Sequence, residues 1–166
     1  MSYRNKTYVC FDADTDIRYY RMMCAWKEND NIDFNFHNAH DLNNLRDYAS
    51  EEQIKKKLRE RLSNTKQMIV LVGENTRNLY KYVRWEIEIA ISLGIPIIAV
   101  NLDGENGSTH KTPPILKKNA YFVSVPFKMK AIRHALDNFP SEFAKSDKKP
   151  SARVYSDPAV VALWNK

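Results

Sequence analysis

The run QMIVLV at residues 67–72 constrains this chain more than any other six residues in it. A strand with one wet face alternates apolar and polar residues. An unbroken apolar run needs cover on both faces, the condition of a central strand in a parallel sheet. Residues 6–11 (KTYVCF) read as a first strand, β-branched and aromatic, and stop abruptly at the acidic stretch of Asp12, Asp14 and Asp16. Residues 32–37 (IDFNFH) alternate with period two, which predicts an edge strand. A fourth strand is predicted over 95–101, with Pro96 at its start where a missing donor does little harm. A fifth, weaker in pattern, covers 120–125.

Helical periodicity fills the intervals. A first helix over residues 16–28 has Asp14, Thr15 or Asp16 available as a cap. Its inner stripe is Ile17, Tyr20, Met23 or Cys24, and the stem of Lys27. After a polar stretch at 38–48, Ser50-Glu51-Glu52-Gln53 forms a capping box that opens a helix running to Ser63. A third helix is predicted over 80–93 and is closed by Gly94. Residues 102–116 read as a loop, and a last helix covers 126–138.

Strands alternating with helices predict an α/β fold: a flavodoxin-like three-layer sandwich with a five-stranded parallel sheet in the order 2-1-3-4-5. In this reading residues 1–138 form the domain and residues 139–166 a C-terminal extension. There Ser156-Asp157-Pro158 starts a short helix. Val160, Val161, Leu163 and Trp164 on that helix require burial, against the domain or a second subunit.

Composition narrows the function classes. At 166 residues the chain fits one domain and needs neither disulfides nor metal to build a core. Cys10 and Cys24 read as buried small hydrophobes. Four glycines are too few for a Gly-rich phosphate loop. The net charge of +6 owes much to Lys55, Lys56, Lys57, Arg59 and Arg61. Ile54, Leu58 and Leu62 recur every four residues and leave those cations on a solvated helix face, so nucleic acid is not the expected partner. His37 and His40 lack companions at metal spacing, so no metal site is expected. The apolar runs fall far short of the roughly 20 residues of a membrane span, and the polar opening Ser2-Tyr3-Arg4 does not resemble a leader. A cytoplasmic protein without a membrane partner is expected.

Doubly wound sheets bind ligands beyond the carboxyl ends of their strands. Here that rim comprises Phe11-Asp12, His37-Asn38, Gly73-Glu74-Asn75 and Asn101-Leu102-Asp103, so a cleft there is polar. On the third helix Val83, Ile87, Ala90, Ile91 and Gly94 share one stripe facing the sheet, with Lys81, Arg84, Glu88 and Ser92 opposite. Glu86 lies at the boundary, one turn after Tyr82. A carboxylate beside aromatic and apolar neighbours near a helix start is partly desolvated and is a candidate functional group. Trp85 points away from the predicted core face, toward a subunit or domain contact.

The segment Asn78-Leu79-Tyr80-Lys81-Tyr82-Val83-Arg84-Trp85-Glu86-Ile87-Glu88, followed by Ala90 and Gly94-Ile95-Pro96-Ile97-Ile98, resembles the third-helix signature of bacterial TIR-like proteins. The subfamily it most resembles contains the Thoeris anti-phage component ThsB. That family carries an aromatic residue, usually Trp, four positions before its catalytic Glu; here the pair is Tyr82 and Glu86. The Phe11-Asp12 strand end, Asp14, Asp16, Trp26 and the run Ile69-Val70-Leu71-Val72-Gly73 are similar too.

The resemblance implies NAD as a substrate rather than a resident cofactor, cleaved between nicotinamide and ribose with Glu86 as the catalytic carboxylate. Phe11, Asp12, Asp14 and Tyr82 are the residues it implies for binding. It further implies an ADP-ribose-derived, cyclic signalling nucleotide, a separate effector that binds it, a phage-derived trigger and a homo-oligomer. Two other readings stand beside this one. One is a catalytically inactive TIR-like interaction module. The other is a flavodoxin- or receiver-like domain, though Val72-Gly73 lacks the phosphorylatable Asp a receiver needs at the end of its third strand.

Overall fold

A computed structural model describes residues 7–28, the backbone of 36–37, and residues 50–78 and 81–166. The strands are β1 (Thr7–Cys10), β2 (Phe36–His37), β3 (Gln67–Val72), β4 (Ile97–Asn101), β5 (Tyr121–Pro126) and β6 (Ser151–Arg153). The helices are α1 (Ile17–Glu28), α2 (Glu51–Ser63), α3 (Tyr82–Ser92), α4 (Pro114–Asn119), α5 (Met129–Lys145) and α6 (Pro158–Trp164), with a 3-10 turn at Thr76–Asn78. The fold is α/β, and among the described residues its one sheet is all parallel, in the order β2-β1-β3-β4-β5-β6.

Period-two alternation distributes the core over two layers. Val9, Ile69, Leu71, Ile98, Val100, Val123 and Val125 face α1 and α5, meeting Tyr20, Met23, Ile132, Leu136 and Phe139. Tyr8, Cys10, Met68, Val70, Ile97, Ala99 and Phe122 face the other way, toward α2 and α3, where Leu58, Leu62, Val83 and Ile87 close over them. All six residues of β3 are buried, as an interior strand requires.

Local signals shaped the helix ends. At the start of α2, Gln53 N–H donates to Ser50 Oγ and Ser50 N–H donates to Gln53 Oε1, the reciprocal capping box. Gly94 takes a φ of 68° just after α3, the left-handed conformation that lets the chain turn into β4.

Four expectations need correction. The sheet has six strands rather than five, because Ser151–Arg153 adds alongside β5. The stretch predicted as loop contains the start of α4, begun by Pro114 at its first helical position. The last long helix does not stop at Asn138 but runs through Pro140 to Lys145. Phe139 and Phe143, four apart, are both buried on its core side, and that burial outweighs the proline's helix-breaking tendency. Finally, Trp85 is 7% exposed and belongs to the core, not to a free surface. The predicted stripe considered only the sheet below α3, whereas α2 packs beside it and covers a second flank.

The expected β2 over 32–37 is described only at Phe36–His37, and the loop at 38–48 lies outside the described residues. The terminal helix α6 docks on the domain: Val160, Val161 and Trp164 pack against the α1–α5 layer. No helix among the described residues is long and apolar enough to cross a membrane.

Candidate functional site

The chain leaves β1 through an Asx turn. Asp12 is buried at the strand end, and its carboxylate accepts from Asp14 N–H (3.0 Å) through Oδ1 and from Thr15 Oγ1 (2.8 Å) through Oδ2. Its carbonyl accepts from Asp16 N–H at 2.8 Å. The side chain of Asp14 is exposed. Thus Asp12 organises the turn that leads into α1. Asp16, the residue just before α1, turns its carboxylate onto Gly73 at the end of β3.

Phe11 and Glu86 belong to opposite layers. Phe11 is buried on the α1 side, its ring stacked on Tyr20 with centroids 4.9 Å apart and planes 16° from parallel. Glu86 and Tyr82 lie on α3, which packs on the other face of the sheet. Glu86 is 3% exposed, a carboxylate held almost entirely away from solvent. Tyr82 meets Trp85 edge-to-face at 5.3 Å, and Lys55 Nζ of α2 stands 4.7 Å from the Trp85 ring centroid. Lys55 also pairs with Glu51 at 3.0 Å. One cation of the supposedly free face is therefore part of the aromatic packing around Glu86's helix.

A cavity of about 380 Å³ opens at the carboxyl ends of β3 and β4, beside the start of α1. The rim residues Gly73, Glu74, Asn75, Leu102 and Asp103 line it, as sequence topology expected. Five further wall residues, Thr15, Asp16, Arg18, Tyr19 and Lys111, were not singled out for this rim by sequence, since each reads as an ordinary cap, helix-surface or loop residue. Glu86 does not line this cavity.

The wall is electrostatically uneven. Lys111 Nζ donates to Glu74 Oε1 at 2.6 Å and stands 3.3 Å from Asp103 Oδ2. These two carboxylates hold its ammonium above the usual lysine range, the Glu74 hydrogen bond first. Asp16 is pushed up from the ordinary carboxylate range, chiefly by burial and next by the charge of Asp12. Asn101, at the end of β4, does not line the cavity; its Nδ2 donates to Gly107 O (2.7 Å) and Glu105 O (2.8 Å), pinning the loop after β4. No group of three or more His, Cys, Asp and Glu among the described residues is placed to hold a metal ion.

Residues 8–107, from β1 through β4 and into the loop that Asn101 pins, match the family model of the Thoeris protein ThsB, TIR-like domain. The chain belongs to the ThsB TIR-like family. The matched segment takes in both the α3 carboxylate and most of the cavity wall. The ThsB-family chain is also similar to a solved structure, that of the Clostridium botulinum CMP N-glycosidase BcmB. The two are 13% identical with a TM-score of 0.48, over 81% of this chain and 98% of that one.

Proposed function

We propose that this ThsB-family chain acts on NAD in anti-phage defence, cleaving the nicotinamide–ribose bond with Glu86. The single observation that carries the reading is a carboxylate 3% exposed on α3, one turn after Tyr82, within the segment matched by the family model. A carboxylate kept from water acts on a developing positive charge more strongly than one in bulk solvent. Nicotinamide leaves as a neutral ring, so the reaction needs no strong acid. The ribose left behind becomes oxocarbenium-like, and Glu86 faces that charge and accepts from the ribose hydroxyls. Asp12 and Asp14, at the β1 end, and Phe11 and Tyr82 remain proposed contacts of the substrate.

The product in this reading is an ADP-ribose-derived nucleotide, cyclic in form, which a separate effector binds. The enzyme works as a homo-oligomer in the cytoplasm and responds to a phage-derived trigger. One observation favours a second reading, an idle module that acts by assembly: Glu86 does not line the cavity at the strand ends.

The test incubates the purified protein with NAD, with and without extract of phage-infected cells, and follows free nicotinamide for wild type and Glu86→Gln. Release by wild type under at least one condition and none by the variant is the expected result. Equal release from both removes Glu86 from the mechanism. No release under any condition favours assembly.

A further inference from the structure

A second hollow lies at the opposite end of the sheet, where β4 and β5 begin and α3 and α5 end. Ile91, Ile95, Ile97 and Phe143 give it an apolar lining, and Tyr121 and Lys148 complete the wall. Tyr121, Phe143 and Lys148 fall outside the segment matched by the family model. Gly94 also lines the hollow, and a β-carbon built on it meets no atom within 4 Å, so that side stands open. Its chain neighbour Leu93 is 45% exposed. A lone exposed leucine means little, but one adjoining an apolar hollow enlarges the apolar surface. The volume is about 110 Å³, well under the roughly 300–1,000 Å³ of sites that enclose a small ligand. A hollow of that size takes one bulky side chain, not a free metabolite.

The unmatched charge beside it has one sign. Lys148 Nζ stands 5.3 Å from the centroid of the Phe143 ring, a cation over one wall of the hollow. Its backbone holds a φ of 59°, the sole positive value at a non-glycine among the described residues, in a region that a β-carbon enters at a cost. Lys117 and Lys118 are exposed in the last turn of α4 and directly precede the lining residue Asn119. Lys145 is exposed in the last turn of α5, two residues past Phe143. Those three lysines complement the carbonyl ends of their helices. Lys148 lies beyond α5 and has no such role. Among the described residues none of the four has a carboxylate within ion-pair distance, and nearby Asp147 is held by Lys149 at 3.9 Å. Unmatched cations beside an apolar hollow suit a partner that carries carboxylates around an apolar anchor. A copy of this chain, with its net charge of +6, meets like charge at long range, so the complementary partner is a different, acidic protein.

We propose that this hollow is a docking site for an acidic segment of another protein, which seats one bulky apolar side chain against Ile91, Ile95 and Phe143 and sets a carboxylate beside Lys148. The site does not depend on NAD cleavage, and its test reads binding rather than turnover. The 15N-labelled full chain is titrated with the acidic heptapeptide EEDLDEE, its Phe- and Met-centred versions, the alanine-centred EEDADEE and the basic KKKLKKK. At least one of the three acidic peptides with a large centre should move the amides of Gly94, Ile95, Tyr121 and Lys148. EEDADEE should bind at least about fivefold more weakly than the best of them, because it leaves the hollow unfilled. KKKLKKK should move none of these amides. Lys148→Gly keeps the left-handed backbone and removes the cation, so it should weaken binding about threefold, as loss of an exposed ion pair does. Five outcomes would each overturn the proposal: no shifts with any acidic peptide at millimolar concentration, shifts centred on the opposite rim at Gly73 and Asp103, equal binding of EEDADEE or KKKLKKK, wild-type affinity in Lys148→Gly, or tighter binding of a ten-residue oligothymidylate at the same amides. Concentration-dependent shifts of these amides without peptide would assign the face to a second copy of the chain and overturn it too.

Discussion

A β-carbon built on Gly73 stands 2.4 Å from Asp16 Oδ2 and 2.7 Å from Oδ1. The end of β3 and the start of α1 are thus fitted to each other at the one position where a side chain is missing. Gly73→Ala forces the carboxylate or the strand end to shift, and overpacking of this kind costs about 1–3 kcal/mol. Asp16→Ala removes the obstructing oxygens. Urea denaturation of both single variants and the double variant should show that Gly73→Ala costs less in the Asp16→Ala background. Strict additivity would mean the two residues do not meet in solution.

The same carboxylate sets a pH dependence. Burial, then the charge of Asp12, raises the Asp16 pKa in the folded chain above its unfolded value. A raised folded pKa favours the native state fully below the unfolded pKa, and that advantage is lost as pH rises through the folded pKa. Asp16→Asn, uncharged throughout, should melt at a higher temperature than wild type at pH 7. The gap should narrow as pH falls toward the ordinary carboxylate range. Melting curves at several pH values check this, and a gap that widens on acidification would refute it.

Much of the architecture was readable in the chain because its signals are local. Five apolar residues in a row, Met68 to Val72, placed β3 in the interior, and Ser50 with Gln53 fixed where α2 begins to the residue. Non-local geometry was not readable. The flank of α3 that holds Trp85 is buried by α2, a neighbour that no periodicity within α3 reveals. The rim residues Gly73, Glu74 and Asp103 followed from topology alone. Lys111 did not, since it reaches Glu74 and Asp103 from a loop with no periodic signal. Phe11 is named for binding by the family resemblance and also reads as a core aromatic at a strand end. Strand parity puts it on the α1 side, away from α3, and Tyr20 fills the space over its ring.

Trp85 anchors α3 through packing more than through charge. Its ring is nearly buried, edge-to-face with Tyr82, and Lys55 lies over it with its side chain 39% exposed. Trp85→Ala should cost about 3–5 kcal/mol, the usual range for a large aromatic removed from a core. Lys55→Met keeps the aliphatic stem and loses the cation–π contact and the exposed pair with Glu51, so it should cost no more than about 1 kcal/mol. Equilibrium unfolding of the two variants measures the contrast; comparable losses would assign the anchoring to the cation.

The last twenty residues make the sharpest test of where the domain ends. An autonomous unit closing at Asn138 would tolerate loss of everything beyond it. The structure runs α5 past that point, with Phe143 buried, and then lays Tyr155 and Trp164 against His134 at centroid distances of 4.7 and 6.0 Å. Tyr155 Oη also donates to Glu142 Oε2 at 3.2 Å; burial, then the Glu142 charge, push its phenol well above the usual range. Deleting residues 147–166 uncovers this aromatic cluster together with the β5 edge that β6 covers. Losing two buried aromatics should cost at least about 4 kcal/mol, a large part of the roughly 5–15 kcal/mol that stabilises a typical domain. The truncated chain should therefore melt at a much lower temperature or collect in the insoluble fraction. A truncation that melts within about 2 °C of the full chain, no more than the shift expected for about a single kcal/mol, would show that α6 and β6 are an appendage.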